Sequence, residues 1–78
     1  MITTLFKIST PAPTGMLEEE LKELFKGRTI EHLTHDEYES CVMFNLSYLD
    51  MKLITENVGD VLIHEVDYTT RGKEIIIK

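Results

Sequence analysis

The hydrophobic pattern of this chain switches between a repeat of two and a repeat of about 3.6 residues in one fixed order. Read along the sequence, it gives strand, helix, strand, strand, helix, strand and strand within 78 residues. That order, at this length, leaves room for one α+β domain over residues 1–78. A core of that size buries about 60% of the surface of the extended chain.

The first strand is expected over Ile2 to Ile8, where Ile2, Thr4, Phe6 and Ile8 fall on one face. Pro11 and Pro13 then deny regular structure to the stretch that follows. Thr14 or Gly15 is placed to cap a helix running to about Lys26, whose buried stripe is Leu17, Leu21, Leu24 and Phe25. Gly27 stands where a left-handed helix end is expected. Arg28 to Thr34 and Tyr38 to Leu46 read as a hairpin turning through His35, Asp36 and Glu37. Ser47 suits the N-cap of a second helix ending near Asn57 or Gly59, with Asp50 at its third position and Leu46 able to staple onto Met51. Val61 to Tyr68 is a fourth strand, Thr69 to Gly72 a turn, and Lys73 to Lys78 a fifth strand.

The order βαββαβ over residues 2 to 68 resembles the ferredoxin-like superfold, in element order alone and without a family motif. The resemblance implies a two-layer sandwich. Its antiparallel sheet would run 4-1-3-2 with both helices on one face, and the fifth strand would add an edge beside the fourth. The alternative is another small α+β meander.

Under that topology the start of the first helix, the tip of the first hairpin and the turn after the second helix share a pole. Those places hold Glu18, Glu19, Glu20, Asp36, Glu37, Glu56 and Asp60, seven of the fourteen acidic residues. The opposite pole collects Lys26, Arg28, Arg71 and Lys73. Carboxylates at a helix start are accounted for by the helix dipole, worth roughly 0.3–1 kcal/mol each. Asp36, Glu37 and Asp60 lie outside the first helix and need another reason. A concentrated acidic surface can dock a basic protein, steer its approach or imitate a nucleic-acid backbone. The leading expectation is therefore an acidic regulatory or inhibitory interaction protein, of a kind that a host or a virus could encode. It would bind through Glu18, Glu19, Glu20, Asp36, Glu37 and Asp60.

Composition excludes other classes. The net charge of −6 disfavours nucleic acid and anionic membranes as partners. No apolar run reaches the roughly 18–20 residues of a membrane span, which suits a soluble, cytoplasmic protein. Cys41 is the only cysteine, so the chain holds no internal disulfide, thiolate zinc cage or iron–sulfur cluster by itself. Glutamates in the first helical turn repel a phosphate there, and no cofactor is implied.

The strands are apolar on both sides. With Phe6, Phe44 and Val66 turned to the helices, Leu5, Cys41, Met43, Val61 and Ile63 would face away, making Leu5, Met43, Val61 and Ile63 a dimer face. That face has no aromatic platform for RNA. His32 and His35 are weak metal candidates, since an odd spacing in a strand sends two side chains to opposite faces. His64 is expected in the core, and Cys41 and Ser47 are accounted for by packing and capping. The remaining classes are a ligand-sensing module of the same element order and a metal-assisted enzyme using residues 32–37.

Overall fold

The described residues of the computed structural model are 3–11, 15–35 and 38–78. They form β1 (Leu5–Thr10), α1 (Leu17–Leu24), β2 (Glu31–His35), β3 (Tyr38–Phe44), α2 (Tyr48–Val58), β4 (Leu62–Val66), β5 (Tyr68–Arg71) and β6 (Glu74–Ile77). The chain is α+β. β1 to β4 make an antiparallel sheet in the order β2-β3-β1-β4, and β5 and β6 make a separate two-stranded one.

Local chemistry sets most boundaries. α2 begins with a capping box, the Asp50 amide donating to Ser47 Oγ at 3.1 Å and the Ser47 amide to Asp50 Oδ2 at 3.0 Å. Leu46 and Met51, on either side of that cap, meet in the core. α1 stops at Leu24, short of Lys26, because Phe25 leaves helical geometry and the Arg28 amide bonds the Phe25 carbonyl at 3.2 Å. Gly27 then takes a φ of 87°. β3 ends at Phe44 rather than Leu46, since Asn45 adopts a left-handed φ of 55°, a conformation asparagine tolerates. β2 starts three residues later than Arg28, whose side chain is committed elsewhere.

The register sorts the side chains. Phe6 lies opposite Met43 and Glu65, and Ile8 opposite Cys41 and Ile63. One cluster joins Ile8, Cys41 and Met43 of the sheet to Leu17 and Leu21 of α1 and Ile54 of α2, with Phe6, Val61 and Ile63 packed against it. The expected facing is therefore corrected. Cys41, Met43, Val61 and Ile63 look toward the helices, and Leu5, Phe44 and Val66 share the other face. Phe6 cannot share a face with Phe44, because a residue directly opposite another in a ladder lies on the same side and Phe6 is opposite Met43.

The end of the chain is corrected too. Lys73 to Lys78 does not extend the sheet beside β4. Asp67 interrupts the expected fourth strand, and Tyr68 meets Phe44 edge-to-face with ring centroids 5.5 Å apart. Phe44 pairs with Leu5 and Leu5 with Val66, so Tyr68 reaches two strands inward across the face away from the helices. β5 then pairs with β6, and the Lys78 amide closes the ladder on the Asp67 carbonyl at 2.9 Å.

Arg28 ties these parts together. Its Nη1 donates to Asp50 Oδ2 at 2.9 Å, and its Nη2 to the carbonyls of Phe44 at 2.8 Å and Asn45 at 3.2 Å. Its guanidinium lies 5.5 Å from the centre of the Phe25 ring. The Ser47 amide, and then Arg28, hold the Asp50 carboxyl below its ordinary value. Stability conferred through Asp50 should thus be complete above the ordinary carboxylate pKa of about 4 and disappear as pH falls through the lower native value. Asp50→Asn should flatten the acid limb of the urea midpoint below about pH 4; an unchanged limb would show that the cap carries no such stability.

Candidate functional site

Carboxylates near the start of α1 differ in what they already hold. Met16 occupies the N-cap position without a side-chain cap. The cap comes from β3, where the buried Glu39 accepts from the Gly15 amide at 3.2 Å through Oε1 and from the Leu17 amide at 3.4 Å through Oε2. Glu39 is opposite Thr10 in the register, so this carboxylate also fixes α1 against the end of β1. Glu18 pairs with Lys22 at 2.9 Å and raises the pKa of its ammonium.

The other carboxylates are less engaged. Glu23 meets Lys26 only at 3.9 Å, with both side chains exposed, a geometry worth little. Glu19 is exposed and Glu20 half-buried, and neither is ion-paired among the described residues. Glu19, Glu20, Lys22 and Glu23 line a shallow depression together with Met16, which is 50% exposed. Asp60 is exposed and lines a second depression with Pro11, Val61 and Leu62. Since Pro11 follows β1, Asp60 lies at the same end of the sheet as Glu39 and the start of α1. Glu56 lies 4.0 Å from Lys52 along α2. Asp36 and Glu37 lie outside the described residues.

The basic pole is weaker than the residue types suggest. Arg28 is neutralised by Asp50, and Arg71 and Lys73 stand at the turn of the β5–β6 hairpin rather than on the four-stranded sheet.

The four residues of the expected dimer face do not form one. Met43 is buried in the core, Val61 and Ile63 pack against it, and Leu5, on the far side, is 1% exposed. Leu62 and His64 are exposed on that far side, so His64 is a surface residue and not a core one. The backbone of His32 pairs with Cys41 and that of His35 with Tyr38; the side chains of both lie outside what the structure describes. Among the described residues no three His, Cys, Asp or Glu side chains are grouped so as to hold a metal ion. No helix among them is long and apolar enough to cross a membrane.

Two features went unforeseen. Tyr48 and Leu49 of α2 are 77% and 69% exposed, because Met51, Ile54 and Val58, at i, i+3 and i+7, already supply the face that meets the core. That spacing was available in the sequence. The Glu39 cap was not, since it joins residues 22 and 24 apart. No family model matches this chain, and neither a curated protein nor a solved structure matches it.

Glu39→Ala should destabilise the domain by about 1–2 kcal/mol by leaving two helix-start amides unpartnered, with Glu39→Gln recovering part of the loss; equal losses in urea melts would remove the capping role. Cys41 is buried, and burial first, then the charges of Glu18 and Glu39, push its thiol up to about 12. At pH 8 a thiol reagent should therefore label the native protein only at the rate of unfolding, while labelling as fast as in denatured protein would contradict the buried placement.

Proposed function

We propose that this chain is a small acidic interaction protein of ferredoxin-like architecture that binds a protein partner with a basic surface and modulates or inhibits it. The strand order and the single core shared by both helices support the architecture. The docking surface is the start of α1 together with the neighbouring Asp60.

One observation carries the reading: Met16 is half exposed in a shallow depression that it lines with Glu19, Glu20, Glu23 and Lys22. Carboxylates at a helix start stabilise the helix whether or not anything binds. An exposed methionine among them has no such purpose, since it leaves apolar surface in water at about 25 cal/mol per Å². A lysine or arginine suits both features. Its aliphatic stem covers the thioether while its charged head reaches Glu19, Glu20 or Glu23. The net charge of −6 adds long-range attraction, which accelerates encounter with a basic partner and falls with salt.

The partner surface also has to include Glu18, whose pairing with Lys22 can be exchanged for a partner cation at small cost because both side chains are partly exposed. A partner that lost its nucleic acid to this surface would be inhibited, and in that case the carboxylates act in place of phosphates.

Affinity capture from the native cell tests the proposal when the wild type is compared with Glu19→Lys/Glu20→Lys and with Met16→Ala. The double reversal should abolish capture with the melting temperature essentially kept, and Met16→Ala should weaken it about tenfold, the effect of losing one buried side chain at an interface. Capture that survives the double reversal would sink the acidic-docking reading.

A further inference from the structure

β4 borders the four-stranded sheet, and among the described residues no strand pairs with its outer side. Which backbone groups it presents there follows from β1. The Asn45 amide donates to the Thr4 carbonyl at 2.8 Å, so the backbone of Thr4 faces β3. Backbone direction alternates along a strand, so Phe6 and Ile8 face β3 as well, while Leu5, Lys7 and Ser9 face β4. Their partners Val66, His64 and Leu62 turn inward. Ile63 and Glu65 are left with outward N–H and C=O groups.

Neither proline nor a bulge obstructs the backbone of this edge. The sequence LIHEV has no proline, lysine or glycine, and its register with β1 runs without a bulge. The β5–β6 hairpin leaves it open, because Tyr68 turns inward to Phe44. At the upper end of the strand Leu62, 62% exposed, joins Pro11 and Val61 in an apolar depression beside Asp60. Along and just beyond the strand stand the exposed carboxylates of Asp60, Glu65 and Asp67, none ion-paired among the described residues.

We propose that the outer edge of β4 accepts an extended basic segment of a protein partner as an added strand. Ile63 and Glu65 supply the backbone hydrogen bonds, Asp60, Glu65 and Asp67 take its cations, and the Pro11–Val61–Leu62 depression takes an apolar side chain. A second copy of this chain fits less well. Antiparallel pairing about His64 sets Glu65 diagonally against its own counterpart, and two chains of charge −6 repel. The proposal shares with the proposed function the basic character of the partner and Asp60, but its backbone groups on β4 are distinct from the start of α1, so either can fail alone.

The test uses a blocked heptapeptide of alternating lysine and valine, titrated into the ¹⁵N-labelled protein. Amide shifts should be largest, and hydrogen exchange most slowed, at Ile63 and Glu65. Glu65→Thr removes a charge and keeps the outward N–H; Glu65→Pro removes both without breaking a bond to β1. The proline variant should bind about tenfold more weakly than the threonine variant, the value of a hydrogen bond. If the proline variant does not fold, protection of the two wild-type amides decides alone. Equal binding by the two variants, shifts confined to α1, equal binding of the alternating glutamate–valine peptide, or self-association at the β4 edge would overturn the proposal.

Discussion

The antiparallel register between β1 and β3 is the constraint on which the rest depends. A slip of one residue would exchange the faces of β1, and polarity alone does not forbid it, because Leu5, Phe6 and Ile8 are apolar on both sides. Polar contacts fix it instead. At one end Asn45 accepts from the Thr4 amide at 3.0 Å and donates to the Thr4 carbonyl at 2.8 Å. Toward the other, the hydroxyls of Ser9 and Ser40 meet at 3.0 Å, both residues being buried. A slipped ladder would leave two buried hydroxyls without partners, at roughly 1–3 kcal/mol each. The same register sets Glu39 beside the start of α1, so the position of Met16 and its glutamates follows from a pair of serines on the opposite face of the sheet.

Sequence periodicity was sufficient for the elements but not for their sides. Two helices, the hairpin and the Ser47–Asp50 cap are local events, encoded within a few residues of where they occur. Facing is not local when both sides of a strand are apolar. The clue lay in Ser9 and Ser40, polar residues in strands whose shared side could have been inferred from a pairing between them. Asp67 was a similar clue: an aspartate between Val66 and Tyr68 ends a strand more readily than it continues one. The acidic residues were legible as a group, yet their availability was not, since Glu39 is consumed by a helix start that only tertiary structure brings to it.

That division of labour decides what the surface can do. Asp50 and Glu39 each accept from backbone amides at a helix start, and their charge is offset within the fold. Glu18 and Glu56 are shared with lysines one turn away on the same helix. Among the described residues Glu19, Glu20, Glu23, Glu31, Asp60, Glu65, Asp67 and Glu74 remain, and they supply the negative field that reaches solvent. The cations do not balance it locally, because Arg28 is bound to Asp50 and to two carbonyls inside the α1–β2 and β3–α2 junctions.

The last strands are spent on a face rather than an edge, and the energetics favour that choice. An unpaired edge keeps its N–H and C=O groups in water, where they are already hydrogen-bonded, so covering them yields a net gain of only about 0.5–1.5 kcal/mol per bond. The side of the sheet away from the helices holds Leu5, Val42, Phe44 and Val66, whose exposure would cost about 1.5–3 kcal/mol for each large side chain. Tyr68 is half-buried against Phe44, and the hairpin register sets Ile75 and Ile77 on its side. Pairing β5 with β6 satisfies the hairpin's own backbone, which frees it to turn inward as a unit. Covering the face in this way leaves the outer side of β4 as a place where backbone groups and uncommitted carboxylates coincide.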